Sequence, residues 1–153
     1  MPEPDTQTQE EQSQRQPTVV LGTIGYDSHI VGIWVLRHAL RDAGINVAYL
    51  GALAAPEEFI DAAKETNADA IWVSSLYGMA RIDCTGMREK CVEAGMDGLL
   101  MYIGGILVTD PEEWQATEKL FREMGFDRVY PPGTKTETPI ADLKKDLGLE
   151  QAS

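Results

Sequence analysis

The sequence predicts one α/β domain: a five-stranded, doubly wound parallel sheet between two helical layers. Three observations predict it. Short continuous apolar runs alternate with amphipathic segments. Those runs suit strands buried on both faces of a parallel sheet. And three of the amphipathic segments end on the same punctuation, Ala43-Gly44-Ile45, Ala94-Gly95-Met96 and Met124-Gly125-Phe126, each followed by an apolar run. A glycine there takes the left-handed conformation that stops a helix, and the next apolar residue folds back on the last turn before a strand begins.

Taken in order, residues 1–16 are rich in Gln, Glu, Thr and Ser and almost devoid of apolar side chains. They cannot offset their ordering entropy by burial, so a disordered tail is expected there and a single domain over 17–150. The expected strands are Thr18–Ile24, Asn46–Leu50, Asp69–Ser75, Gly98–Ile103 and Asp127–Tyr130. Val19-Val20-Leu21, Ala70-Ile71-Trp72-Val73 and Leu99-Leu100-Met101-Tyr102-Ile103 are the continuous runs. Pro56-Glu57-Glu58 and Asp110-Pro111-Glu112-Glu113 read as helix starts, the second with a cap and acids at the positive end of the dipole. Thr138-Pro139 opens the last helix, with Ile140, Leu143 and Leu147 on one face. The order βαβαβαβαβα is that of a flavodoxin-like (Rossmann-like) three-layer αβα fold. Trp72 is expected in the core, and Trp34 and Trp114 with it. His38, on a helix, is expected at the surface.

Composition narrows the function. The chain of 153 residues carries 25 acidic and 13 basic side chains, a net charge of −12. With no Lys/Arg stripe, nucleic acid and anionic membranes are poor partners. No apolar run is long enough to span a bilayer, and the N-terminal residues lack the apolar core of a signal peptide, so a cytoplasmic protein is expected. Cys84 and Cys91 stand on one expected helix with no C-x-x-C, which reads as two reduced structural thiols.

Ligands of such sheets bind beyond the carboxyl ends of the strands. The loops there are Gly25–Gly32, Leu76–Asp83, Gly104–Asp110 and Pro131–Thr138. The first contains Asp27 and His29. A neutral imidazole is a good ligand for cobalt, iron or zinc, and a carboxylate on its other nitrogen fixes the tautomer and raises basicity. The same residues also fit a capped helix start, with His29 solvated. Gly22-Thr23-Ile24-Gly25 lacks the dinucleotide spacing, which disfavours NAD or FAD. Ser74 and Ser75 fit either a slot that bonds a heterocycle nitrogen or a buried turn. Gly104-Gly105 fits either a place where something flat lies against backbone or a strained turn.

Together, Asp27-x-His29-x-x-Gly32, Ser74-x-Leu76 and Gly104-Gly105, separated by residues 33–73 and 77–103, resemble the signature of B12 proteins that bind cobalamin base-off with a histidine on the metal. Within that group the chain resembles the small-subunit family of glutamate mutase (methylaspartate mutase) over about residues 17–150. Val73–Gly78, Arg88–Cys91 and Met124–Thr134 carry the likeness. The resemblance implies adenosylcobalamin as cofactor and radical interconversion of glutamate and 3-methylaspartate. It also implies a larger barrel-fold subunit that holds the substrate, in a heterotetramer of two small and two large chains.

By match of motif, His29 is the axial cobalt ligand and Asp27 holds its second nitrogen. Ser74 bonds the benzimidazole, Leu76 packs on it, and Gly104 and Gly105 make room for the nucleotide tail. Tyr26, Ser28, Ile30, Gly32 and Ser75 flank these elements, and Ile106, Leu107, Val108, Thr109 and Asp110 border the tail. No catalytic residue is expected on this chain. Met79-Ala80-Arg81 and Ile106 depart from the family pattern, as does Asp110, where the family has Gly. Two other readings share parts of the pattern. A corrinoid carrier for methyl transfer usually adds an N-terminal helical bundle that residues 1–16 cannot form. A non-catalytic flavodoxin-like receiver would want paired acids after the first strand.

Overall fold

The computed structural model describes residues 16–24, 31–75, 80–105, 107 and 110–149. Its elements are β1 (Thr18–Ile24), α1 (Val31–Asp42), β2 (Asn46–Ala54), α2 (Pro56–Thr66), β3 (Ala70–Ser75), α3 (Ala80–Asp83), α4 (Met87–Glu93), β4 (Leu100–Gly105), a 3-10 turn (Pro111–Glu113), α5 (Trp114–Glu123), β5 (Arg128–Val129) and α6 (Glu137–Asp146). All strand pairs are parallel, in the order β2-β1-β3-β4-β5. The expected doubly wound sheet is therefore the observed one. Its order reverses between β1 and β3, and that is the switch point at which such sheets take ligands.

The three glycine stops form as the local chemistry requires. Gly44, Gly95 and Gly125 have φ of 83, 80 and 109°. Each following residue donates its amide back across the last turn: Ile45 to Leu40 at 3.0 Å, Met96 to Cys91 at 2.8 Å and Phe126 to Phe121 at 3.1 Å. These bonds satisfy carbonyls that a helix end leaves open.

Alternation along the strands divides the core in two. On one face Val20, Ile71, Val73, Met101, Ile103 and Val129 pack with Phe59 of α2, Met87 and Cys91 of α4, and Phe121 of α5. On the other, Val19, Leu21, Ala70, Trp72 and Tyr102 pack with Ile33 and Leu40 of α1 and Leu143 of α6.

Several boundaries differ from the sequence reading. β2 runs on to Ala54, past Gly51 and Leu53, whose φ values of 74 and 62° bulge its ladder to β1. β4 starts later and ends later than expected. Leu99 is spent in a turn, its amide bonding Met96 O at 3.1 Å, and Gly104 and Gly105 join the ladder opposite Ser74 and Ser75. Cys84 and Cys91 do not share a helix, because Gly86, with φ of 80°, breaks the segment between α3 and α4. Both are buried free thiols, and burial pushes both above the ordinary thiol range. Trp34 is not a core residue but 43% exposed. The stripe Ile33, Leu36 and Leu40 meets the sheet, so Trp34 falls on the flank of α1, with the Arg37 guanidinium 5.2 Å from its ring. Trp72 is core on the α1 side, Trp114 is half-buried against the opposite core beside α5, and His38 is exposed.

Candidate functional site

The face under α1 and α6 is not packed solid. Register explains why. Leu21 pairs with Trp72 and Trp72 with Tyr102, so β1, β3 and β4 lay a row of large side chains across this face. Two residues further along, Thr23 pairs with Ser74 and Ser74 with Gly104. Residues two apart share a face of a strand, so large side chains give way to small ones toward the carboxyl edge. The result is a cleft of about 280 Å³, with Ser74, Gly104 and Gly105 in its lining. Leu21, Trp72 and Tyr102 line it from the sheet, Leu36 from α1, and Tyr130, Pro131–Thr134, Thr136 and Pro139 from the β5–α6 connection and α6.

The walls are stiff. Trp72 and Tyr102 stack at 5.5 Å with an 18° interplanar angle, and Tyr130 meets Tyr102 edge-on at 5.9 Å. The Tyr102 hydroxyl donates to Asp146 Oδ2, and the Tyr130 hydroxyl donates to Asp142 Oδ2 at 2.7 Å. Arg128 grips Asp146 through two bonds of 2.8 Å and reaches Asp142 Oδ1 at 3.6 Å. Burial, then the neighbouring carboxylates, push both phenols above the ordinary tyrosine range. The Arg128 bonds hold Asp146 below the ordinary carboxylate range. Both phenols thus stay protonated at neutral pH. The described part of the cleft offers shape and hydrogen bonds rather than a base or nucleophile.

The two glycines play different parts. A Cβ on Gly105 would stand 2.1 Å from Ser75 O, and its φ is 105°. Only glycine serves where the strands close so tightly. A Cβ on Gly104 would lie 3.4 Å from Tyr130 Cβ. That position tolerates an atom, and leaving it bare opens the cleft. Room and strain, both compatible with the dipeptide, fall to one residue each.

The remaining expected residues scatter. Ser74 lines the cleft, whereas Ser75, one residue on, is fully buried, and its Oγ has no hydrogen-bond partner among the described residues. Leu107 is 5% exposed and belongs to the opposite core. Asp110 is at the surface, where its Oδ1 accepts the Glu112 amide at 3.0 Å and caps the 3-10 turn. Gly32 is the second residue of α1. Tyr26, Asp27, Ser28, His29, Ile30, Leu76, Ile106, Val108 and Thr109 lie outside the described residues, as do residues 1–15 of the tail. β1 delivers the chain to the first of these segments at Ile24, on the carboxyl edge beside the cleft.

The Pro131–Thr134 turn belongs to one of the loops expected on the ligand side, whereas Leu21, Leu36, Trp72, Tyr102 and Tyr130 carry no such expectation from sequence. A signal was present: Leu21-x-Thr23, Trp72-x-Ser74 and Tyr102-x-Gly104 repeat one large-x-small step on three strands. Arg88, within one of the stretches that carry the family likeness, is structural. It donates to Gly125 O at 3.0 and 2.7 Å and to Leu99 O at 2.7 Å, and pairs with Asp127 at 2.9 Å, tying α4 to β4 and the α5–β5 turn.

Comparison with known proteins gives a consistent picture. A family model for the B12 binding domain matches residues 17–140. The glutamate mutase sigma subunit of Clostridium cochlearium is 56% identical over 87% of this chain and 97% of its own length. That of Fusobacterium nucleatum is 52% identical over 86% and 96%. Among solved structures, a cobalamin-binding protein from Desulfitobacterium hafniense DCB-2 superposes with a TM-score of 0.71 at 20% identity, over 86% of this chain and 60% of that one. At that identity the superposition speaks for the fold alone.

Proposed function

We propose, from the premise that this chain belongs to the B12 binding domain family and within it to the glutamate mutase sigma subunits, that the cleft under α1 and α6 holds the nucleotide tail of cobalamin while His29 ligates the cobalt. The protein is the cobalamin-binding subunit of an adenosylcobalamin-dependent isomerase, methylaspartate mutase, and works with a separate catalytic subunit. One observation carries the assignment of the site. Two of the three signature elements, Ser74 and Gly104-Gly105, meet at one cleft, next to the strand end that leads to the third.

The residues fit the group. A flat heterocycle wants apolar walls and few polar contacts. Leu36, Tyr102 and Pro139 supply the walls, Ser74 a hydroxyl, and Gly104 the missing side chain. The cleft is smaller than a site for a whole drug-sized ligand, so it suits the base and leaves the corrin outside. When bound, adenosylcobalamin supplies a cobalt–carbon bond that breaks homolytically, and that chemistry is the cofactor's own. This chain's residues bind and orient. Asp27 holds the second nitrogen of His29, Ser74 bonds the displaced base, and Leu76 packs on it. Tyr26, Ser28, Ile30 and Gly32 flank the ligand, and Ile106, Val108 and Thr109 border the tail, whereas Leu107 faces the opposite core and Asp110 caps the 3-10 turn.

The partner holds the substrate on a barrel fold, and the assembly has two copies of each chain. Residues 17–150 are the binding domain and 1–16 a tail outside it. A cytoplasmic location accords with two free thiols. No helix among the described residues is long and apolar enough to cross a membrane.

A titration of the visible spectrum with cobalamin tests the site. The wild type and His38→Ala should give the base-off, histidine-ligated form. His29→Ala should lose it, and Asp27→Asn should bind roughly 10–100-fold more weakly with the fold intact. Equal behaviour of the two histidine variants would refute the ligand assignment.

A further inference from the structure

At the amino edge of the sheet, a groove of about 450 Å³ runs between the end of α1 and the start of β2, with Gln16, Arg37, Arg41, Asn46 and Val47 in its lining. It shares no residue with the cleft. Arg88, Arg122 and Arg128 each hold a carboxylate, whereas Arg37 and Arg41 form no ion pair among the described residues. They stand four apart on α1, where like charges repel. Arg41, in the last turn, complements the helix dipole. Arg37, one turn earlier, gains little from it. Its guanidinium is instead held 5.2 Å from the Trp34 ring and 4.8 Å from the Tyr49 ring. A fork fixed in this way loses little freedom when an anion pairs with it.

The chain itself leads anions to this place. Gln16 lines the groove. The residues before it carry Glu3, Asp5, Glu10 and Glu11 against one cationic side chain, Arg15. Glu11 is five residues from Gln16 and Glu10 six. At up to about 3.6 Å per residue, both carboxylates can reach arginines that line the same groove as Gln16. These residues have almost no apolar side chains to bury, so charge is the attraction available to them. Exposed ion pairs are individually weak, but a segment tethered at Gln16 meets the groove at an effective concentration of about millimolar.

We propose that the groove is the docking place of the chain's own acidic N-terminal segment, with the Glu10 and Glu11 carboxylates neutralising Arg37 and Arg41. An anion between the two guanidinium groups offsets their repulsion. The docking is independent of the cofactor assignment, because the groove and the cleft lie at opposite edges of the sheet.

The test places a nitroxide on the full chain at Thr8→Cys and reads the paramagnetic broadening of the Gly44 and Val47 amide signals. Both native thiols are buried, so the label goes to the added one. At low ionic strength the two amides should be strongly broadened. The effect should fall roughly 2–5-fold in Glu10→Gln/Glu11→Gln and in Arg41→Gln, and likewise at about 1 M salt, where charges are screened within about 3 Å. The double Glu variant alters only the segment, so the domain's fold is untouched. Broadening indifferent to both the charge variants and salt would mean that the tether alone brings the segment near, and it overturns the proposal. Inorganic phosphate gives a second readout. It should shift the Gly44 and Val47 signals several-fold less in the wild type than in Glu10→Gln/Glu11→Gln, because the segment competes for the arginines. An equal response would make the groove open to any anion, and it overturns the proposal as well.

Discussion

The two faces of the sheet are built from the same strands and do opposite work. Beneath α2, α4 and α5, Val, Ile, Met and Phe side chains and two thiols are buried together. Beneath α1 and α6 the aliphatic side chains are joined by Trp72, Tyr102 and Tyr130, which carry polar atoms, and this face holds a cleft. Interiors pack as densely as organic crystals, so an open cleft persists only if stiff walls stop its collapse. Here the stiffness comes from the Trp72–Tyr102 stack and from two phenols bonded to carboxylates of α6, which Arg128 in turn grips. One face supplies stability, and the other gives some of it up to keep room for a ligand.

Emptying the packed face should produce the largest loss of stability. Phe121→Ala removes a side chain that is 1% exposed and packed edge-on to Phe126, at a cost of about 3–5 kcal/mol in denaturant unfolding. The corrinoid affinity of the folded variant should stay near wild type. An affinity that fell in step with stability would show the faces are not separate.

The glycine pair sharpens the same contrast within two residues. Gly105→Ala drives a Cβ toward Ser75 O and strains a backbone of φ 105°, so it should cost about 3 kcal/mol. Gly104→Leu should leave the unfolding midpoint close to wild type and weaken corrinoid binding about tenfold or more by filling the cleft, a difference of about 1.4 kcal/mol in binding. If both variants lost stability equally, Gly104 would not be keeping space open.

The smallest effect concerns the walls. Tyr130→Phe removes the bond to Asp142 and should cost about 1 kcal/mol. Because both phenols titrate above their ordinary value in the folded state, the native form holds protons that the unfolded chain has released. Their contribution is present below about pH 10 and is lost as pH rises through the folded-state values. Wild-type stability should therefore decline on the alkaline side of about pH 10, less steeply in Tyr130→Phe. A flat alkaline limb in the wild type would contradict this account of the walls.

What was legible in the sequence follows from range. The helix stops at Gly44, Gly95 and Gly125 are local devices, readable from three residues each, and with the apolar runs they specify the parallel α/β order. The Asp110 cap is likewise local. The signature residues Ser74, Gly104 and Gly105 were legible as a pattern, but why they converge was not. That depends on Thr23, Ser74 and Gly104 falling into one row, a matter of register between strands far apart in the chain. The aromatic walls stayed hidden because Trp72 and Tyr102 look like ordinary core. Trp34 misled in the opposite sense: an aromatic residue beside an apolar stripe turned out to flank it. Gly86 broke an amphipathic segment that read as continuous.

The claim on which the site depends is that the cofactor's base leaves cobalt for the cleft and His29 takes its place. Electron paramagnetic resonance of the reduced, cobalt(II) form bound to the protein observes the axial nitrogen directly. With histidine carrying the heavy nitrogen isotope, the hyperfine splitting should change from a triplet to a doublet, and the labelled signal should vanish in His29→Ala. A splitting indifferent to the label, with the cofactor's own benzimidazole nitrogen still on the metal, would contradict the assignment.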